Sequence, residues 1–250
     1  MSTAATPSPT VPTVTSRLLS RQEVADGTMA FRFDKPIGWV FKAGQFLDMT
    51  LLDPAETDAE GNTRSFSIAS GPDEDTLMIA TRMRDTAFKR VLKTMPIGTA
   101  VKIEGPSGDL VLGDDATRAI VFLAGGIGIT PFRSMLIQAA DQQLPHRLFL
   151  FYSNRRPEDA PFLDELQTLQ QANPRYTLIP SMTEMATSHR AWTGETGLID
   201  QAMLSRHLSG AVPPHYYIAG PPGMVKGLHA MLTKQAVKDG DIRAEEFSGY

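Results

Sequence analysis

Three clusters in this sequence have the residue types and spacing to hold phosphate groups. Ala124-Gly125-Gly126-Ile127-Gly128-Ile129-Thr130-Pro131 follows the apolar run at 118–124 and precedes a helical pattern. Glycines in such a place let the backbone approach a pyrophosphate, and the dipole of the following helix favours its charge. The spacing departs from G-x-G-x-x-G, because Pro131 stands where the third glycine would be. The next strand ends in Ser153-Asn154-Arg155-Arg156, with no acid for a ribose. A tight strand-to-helix turn without a ligand is the alternative. The second cluster, Arg64-Ser65-Phe66-Ser67, reads as a strand with Arg64 and Phe66 on one face and Ser65 and Ser67 on the other. The planar fork of an arginine suits a phosphate oxygen; a solvated arginine beside a core phenylalanine is the plainer reading. The third, Arg84-Asp85-Thr86-Ala87, opens a helix amid Arg82, Arg84, Lys89 and Arg90. Helix starts receive phosphates through free N–H groups, and a surface charge cluster is the alternative. A further turn, Gly220-Pro221-Pro222-Gly223, follows the last apolar strand, at the end where open sheets bind ligands.

Other chemistries are excluded or unsupported. The 250 residues include no cysteine, so this chain holds no disulfide, thiolate metal site, cysteine nucleophile or cysteine-ligated iron–sulfur cluster. His146, His189, His207, His215 and His229 show no metal-ligand spacing, and there is no G-x-S-x-G elbow for a serine hydrolase. No metal is expected. A net charge of −4 argues against a nucleic-acid binder, and no apolar run is long enough for a membrane span. Residues 1–12, rich in Thr, Ser, Ala and Pro without a basic end or apolar stretch, read as a flexible tail, and the expected location is cytoplasmic.

The elements that must position these clusters change character near the middle. Residues 13–113 read as short strands with turn punctuation, the pattern of a small antiparallel β-barrel. Leu47, Met49 and Leu51 share a face, as do Met29, Phe31 and Phe33. One helix interrupts, with Phe88, Val91, Leu92 and Met95 at helical spacing and Asp85 or Thr86 as its cap. Residues 114–250 alternate strands with helices, implying a parallel sheet covered on both faces, with the joint at 112–117. The spacing predicts Thr130 as N-cap and Pro131 as the first residue of the helix after the glycines, and a second helix that includes Phe162.

In this order the pieces resemble the ferredoxin–NADP reductase superfamily of flavoproteins. Arg64-Ser65-Phe66-Ser67 is similar to that family's FAD motif, Arg-x-Tyr-Ser, with Phe66 in the tyrosine's place. The loop from Gly125 to Pro131 resembles its nicotinamide-binding loop, and Tyr217-Ile218-Ala219-Gly220-Pro221-Pro222-Gly223-Met224 its last nucleotide-domain motif. Gly44-Gln45-Phe46, Gly105-Pro106-Ser107-Gly108 and the terminal Glu245-Glu246-Phe247 fall in the family's places too. The resemblance implies a FAD-binding barrel followed by an NAD(P)-binding α/β domain. It puts Arg64, Ser65, Phe66, Ser67, Thr81, Arg82, Met83, Thr86 and Ala87 on FAD, with Ser67 near flavin N5. It puts Gly126, Gly128, Thr130, Pro131, Gly220 and Pro222 on the nicotinamide cofactor. Glu245 and Phe247 join Ser67 as catalytic candidates, with Phe247 covering the flavin and Tyr250 as a second candidate ring. Ser181-Met182-Thr183-Glu184 offers no cation to a 2′-phosphate, which favours NADH over NADPH, although Arg155, Arg156 and Arg190 remain within possible reach. The implied partner is an electron-acceptor protein on a separate chain: ferredoxin, flavodoxin, a haem protein or an oxygenase component. Arg17, Arg21, Arg32 and Lys35 form a candidate docking patch, or ordinary surface charge. Two other readings stand beside this one: a reductase using flavin as a diffusible substrate, and a nucleotide-binding electron-transfer subunit or sensor without turnover of its own.

Overall fold

A computed structural model describes residues 12–208 and 212–247. The expected tail at 1–11 and the candidate ring of Tyr250 lie outside the described residues. The first half folds into β1 (Thr13–Ala25), β2 (Thr28–Asp34), β3 (Phe46–Leu51), β4 (Thr63–Ser67), β5 (Thr76–Arg82) and β6 (Ala100–Ser107). They form one antiparallel sheet in the order β4-β3-β6-β1-β2-β5. Beyond β4 its two edges are drawn together. The Ala69 N–H donates to the Met78 carbonyl at 2.7 Å, and the Met78 N–H donates to Ser70 Oγ at 3.0 Å. The sheet is thereby rolled like a barrel around Phe31, Phe33, Leu47, Met49, Leu51 and Ile79.

Between β5 and β6 lies α1 (Ala87–Thr94). Of the two expected caps Thr86 is the one used, accepting from the Lys89 N–H at 3.4 Å. Phe88 and Leu92 bury the helix on the barrel, and the Phe88 ring lies 5.8 Å from that of Phe66 on β4. Helix α1 and β4 are therefore packed as one unit.

The second half contains β7 (Ile120–Gly125), α2 (Ile129–Asp141), β8 (Leu148–Asn154), α3 (Leu163–Ala172), β9 (Tyr176–Met182), β10 (Glu195–Thr196), α4 (Gln201–His207), β11 (His215–Gly220), α5 (Pro222–Lys234) and β12 (Ile242–Glu246). All strand pairs are parallel, in the order β10-β9-β8-β7-β11-β12. Every residue of β7 is buried, which is why it reads as an unbroken apolar run. Phe122 packs towards α2 and α3, while Val121 and Leu123 face α4 and α5.

Two helix starts differ from expectation. Gly126–Gly128 form a 3₁₀ turn, so α2 begins at Ile129 with Gly128 as its cap. Thr130 and Pro131 lie one and two residues further in, and Thr130 Oγ1 donates to the Ile127 carbonyl at 3.1 Å. The reason is Gly126, whose φ of +52° turns the chain from strand to helix earlier than a side-chain cap would. Pro131 is tolerated because the N–H it lacks is one the first turn leaves unpaired anyway. Phe162 stands just outside α3 at φ +61°, an uncommon conformation for a bulky residue, with its ring buried under the Arg133 guanidinium.

Arg133 joins the two halves. Its side chain is buried on α2, yet Nη1 donates to the Ala69 carbonyl just beyond β4. The same guanidinium forks onto Glu165 of α3, reaches Glu74 of the barrel at 3.4 Å and lies 4.9 Å over the Phe162 ring. Beside it, Ser134 Oγ donates to the Ser70 carbonyl at 2.6 Å. Removing the guanidinium leaves one buried carbonyl without its donor and Glu165 without its cation, while Glu74 keeps only its pair with Arg32. Arg133→Ala is expected to cost about 3 kcal/mol of folding stability. Urea denaturation of the two proteins measures the loss, and a cost below about 1 kcal/mol would show that the seam does not depend on this side chain.

Candidate functional site

Two cavities adjoin at the seam. The first, about 440 Å³, lies between the barrel and the start of α2. Arg64, Ser65, Phe66 and Ser67 of β4 line it, with Thr81 and Arg82 of β5, Thr86 before α1, Thr130 of α2, and Phe247. The structure thus brings residues up to 183 positions apart in the chain to one cavity: most of those expected on FAD, with Thr130, which was expected on the nicotinamide cofactor, among them. The second cavity, about 380 Å³, opens beneath Gly125 and Gly126 and is walled by Ser153, Asn154, Arg155, Thr183, Pro221 and Met224. Arg82 and Arg84 line both, so the two spaces are neighbours with these side chains in common. A larger cleft of about 650 Å³, lined by Glu23, Asp26, Arg133 and Glu165, contains none of the expected site residues.

The first cavity is apolar and unsatisfied at one end and strongly charged at the other. Ser67 Oγ is buried with no hydrogen-bond partner among the described residues. A buried hydroxyl without a partner is costly, and a ligand atom at this end removes the cost. Phe247 shares the cavity, held by its own N–H, which donates to the Gly220 carbonyl at 2.9 Å. At the other end stand Arg64, Arg82, Arg84 and Lys89. Burial, together with the positive charge of Arg84 and Arg64, pulls the Lys89 ammonium down to about 8. Lys89 Nζ donates to the Arg82 carbonyl at 2.7 Å. Arg64 lies 5.3 Å over the Phe88 ring, with its fork engaged by the loop that precedes β4.

Other expected residues stand beside the cavities without lining them. Met83 packs on the barrel core, Ala87 is buried at the first position of α1, and Pro131 is buried in α2. Pro222 opens α5, while its neighbour Pro221 reaches the second cavity. Glu245, on β12 opposite Ala219, is half-buried, and burial with the nearby charge of Asp109 raises its carboxyl above the usual range. The glycines act through contact. A Cβ on Gly128 would lie 2.7 Å from Gly220 Cα and closer still to the Ala219 carbonyl, so the loop is pressed against β11. Gly220 in turn faces the Gly125 backbone, where a Cβ would meet N at 3.2 Å.

Asn154 was not singled out as a site residue. Its amide is buried beside the second cavity, and neither polar atom has a partner among the described residues. The signal was its place at the end of the strand next to the glycine loop. The residues of the candidate docking patch each make contacts within the barrel. Arg17 donates to the Gly98 carbonyl, Arg21 to those of Lys93 and Met95, and Lys35 to that of Pro72. Arg32 pairs with Glu74. These side chains brace turns of the barrel, and the bonds to neutral carbonyls leave the charges of Arg17, Arg21 and Lys35 in place.

Residues 122–230 match the family model of the oxidoreductase NAD-binding domain. The chain is 27% identical over 223 residues to the glycine betaine monooxygenase reductase subunit of Chromohalobacter salexigens, covering 88% of this chain and 60% of that protein. It is 28% identical over 209 residues to the NAD(P)H-flavin reductase of Aliivibrio fischeri, covering 80% and 84%. The chain spans about 60% of the length of the first curated relatives it matches. Its fold superimposes on a ferredoxin NADP+ reductase from Neisseria gonorrhoeae, solved with FAD and NADP, with a TM-score of 0.77 at 22% identity, covering 94% of this chain and 98% of that one.

The glycine contacts give a paired test of this geometry. Gly128→Ala must push two backbones apart and is expected to cost about 2–3 kcal/mol. Gly227→Ala, inside α5 with nothing within 4 Å of the added methyl, is expected to gain about 0.5–1 kcal/mol. Thermal unfolding of both variants should move in opposite directions, and a Gly128→Ala protein as stable as the parent contradicts the close packing.

Proposed function

We propose that this chain is a reductase of the ferredoxin–NADP reductase superfamily. In this reading it holds FAD in the first cavity and a nicotinamide dinucleotide in the second, and passes electrons to an acceptor protein on a separate chain. The observation that carries the reading is the adjoining pair of cavities. The partnerless Ser67 hydroxyl and the Phe247 ring share the first, and its Arg82 and Arg84 also line the cleft under the glycine loop. When bound, FAD supplies the redox chemistry, accepting hydride at N5 and giving up electrons one at a time.

The chain's own residues bind and orient. Ser67 presents a hydroxyl donor at the buried end of the cavity, where the hydride-accepting atom is assigned. Phe66 packs on the ring system but lacks the family tyrosine's hydroxyl. Arg64, Lys89 and the first N–H groups of α1, with Thr86 and Ala87, hold the pyrophosphate. Gly126, Gly128 and Thr130 shape the second site, and Gly220 with its neighbouring prolines closes it. Phe247 would cover the flavin ring and give way to nicotinamide, and Glu245, on the strand that leads to Phe247, would supply a carboxyl group that burial keeps readier to hold a proton.

The coenzyme we assign is NADH. The three arginines that were candidates for a 2′-phosphate are each met by the chain's own acids, Arg155 and Arg156 by Asp159 and Arg190 by Asp164. Without cysteine, these 250 residues hold no cysteine-ligated iron–sulfur relay. We assign a cytoplasmic location; no helix of the described residues is long and apolar enough to cross a membrane. A second reading, a reductase with exchangeable flavin, is favoured by one observation: the Arg64 fork is already engaged by its own loop.

The first test is the visible spectrum of the purified protein with added FAD, before and after anaerobic NADH and then NADPH. A flavin band that NADH bleaches faster than NADPH is expected; a protein that takes up no flavin sinks the reading. In the same assay Ser67→Ala should keep its flavin and lose roughly ten- to a hundred-fold in bleaching rate.

Lys89 adds a pH signature. Its ammonium titrates at about 8 without ligand, and an anionic pyrophosphate beside it would raise that value. Binding then takes up a proton once the free lysine is neutral, so FAD affinity should hold below pH 8 and fall as the pH rises through it. Titrations at several pH values check this, and Lys89→Gln should weaken binding overall and remove this component of the fall.

A further inference from the structure

The two groups assigned to the flavin phosphates are already bridged by an anion of the chain itself. In the loop between β3 and β4, Asp58 Oδ2 accepts from the Ala87 N–H, the first of α1, at 3.1 Å. Its other oxygen accepts from Arg64 Nη2 at 3.2 Å and from the Glu60 N–H at 3.1 Å. Arg64 Nη1 meanwhile donates to the carbonyls of Glu60, Gly61 and Thr63, and Nη2 meets the Glu60 carboxylate at 2.9 Å. The loop has a second tether, the two-pronged pair of Glu56 with Arg90 of α1. A carboxylate offers two anionic acceptors in one plane, as a phosphate edge does, and both suit an arginine fork and a helix N-terminus.

The opposite end of the same cavity is treated differently. Ser67 Oγ, buried beside Phe247, has no partner among the described residues. Glu60, Arg64 and Thr86 line the cavity, and beside it Asp58 joins Arg64 to the start of α1. The chain therefore satisfies the groups assigned to phosphate from its own loop and leaves the Ser67 hydroxyl open.

We propose that Asp58 is an internal competitor for the flavin phosphates: FAD seats its pyrophosphate on Arg64 and the α1 N-terminus only by displacing this carboxylate, and Asp58 thereby sets how tightly flavin is held. The inference rests on the reading of the first cavity as a flavin site. Displacement costs the three contacts of the Asp58 carboxylate and returns comparable ones to the phosphate, so the net attraction is smaller than an empty site would give. The isoalloxazine end is indifferent to the exchange. An exchangeable flavin follows from this balance, without any loss of the residues that recognise it.

The test is flavin titration of the full chain freed of bound flavin, followed by flavin fluorescence, with FAD, FMN and riboflavin as probes. Asp58→Asn keeps the shape of the side chain and removes its charge; Asp58→Ala removes both, and circular dichroism checks that each variant is folded. Both variants should bind FAD and FMN roughly ten-fold more tightly than the parent and riboflavin, which has no phosphate, equally well. Unchanged or weaker FAD binding in both variants overturns the proposal while the flavin reading stands. An equal shift for all three flavins also overturns it, because the loop would then act on the whole cavity. If neither parent nor variants bind any flavin, the reading of the cavity falls and the proposal with it.

Discussion

A buried guanidinium has to be surrounded by acceptors, and at Arg133 those acceptors come from both halves of the molecule. The Ala69 carbonyl and Glu74 belong to the barrel, and Glu165 and the Phe162 ring to the α/β half. Neither half alone satisfies the charge, so the two dock in one arrangement or leave a cation stranded in the interface. The placement matters because of what lies next to it in the chain. Ala69 and Ser70 continue directly from the strand carrying Arg64 to Ser67, and Arg133 and Ser134 follow the glycine loop by one helical turn. A contact between position 69 and position 133 therefore sets the distance between the two cavities. It also explains why Phe162 tolerates a left-handed backbone, since its ring forms one wall of the arginine's seat.

Much of this was legible in the residues. Periodicity found the strands whose alternate residues meet one core, as in β3, and the buried β7 that shows no alternation. Motif order pointed to residues that line both cavities at the seam. What the sequence hid was set by longer-range partners. β12 is half exposed and polar, and is a strand only because its backbone pairs with β11. The true cap of α2 depends on a positive φ at Gly126, which composition marks as permitted but does not require. The four basic residues read as a docking patch look alike in sequence. Their partners, the carbonyls of Gly98, Lys93, Met95 and Pro72 and the acid Glu74, are revealed only by the fold. Asp58 is the sharpest case: an acid in a polar turn reads as solvated, and its partner at position 87 is 29 residues away.

The end of β11 ties the two sites together through the backbone. The Ala219 and Gly220 segment packs against Gly128 on one side, and the Gly220 carbonyl receives the Phe247 N–H on the other. The ring that would cover the flavin is thus registered by the strand that shapes the nicotinamide loop. It sits one residue past the last paired position of β12, held by a single backbone hydrogen bond and partial burial. Moving it costs about one hydrogen bond and part of an aromatic contact, on the order of 1–3 kcal/mol, whereas moving β12 would unzip a sheet edge. In the proposed reading, a nicotinamide ring taking the place of Phe247 would have to recover that cost. A covering ring at the end of a strand, rather than within it, can therefore yield to a substrate while the strand that carries it stays in place.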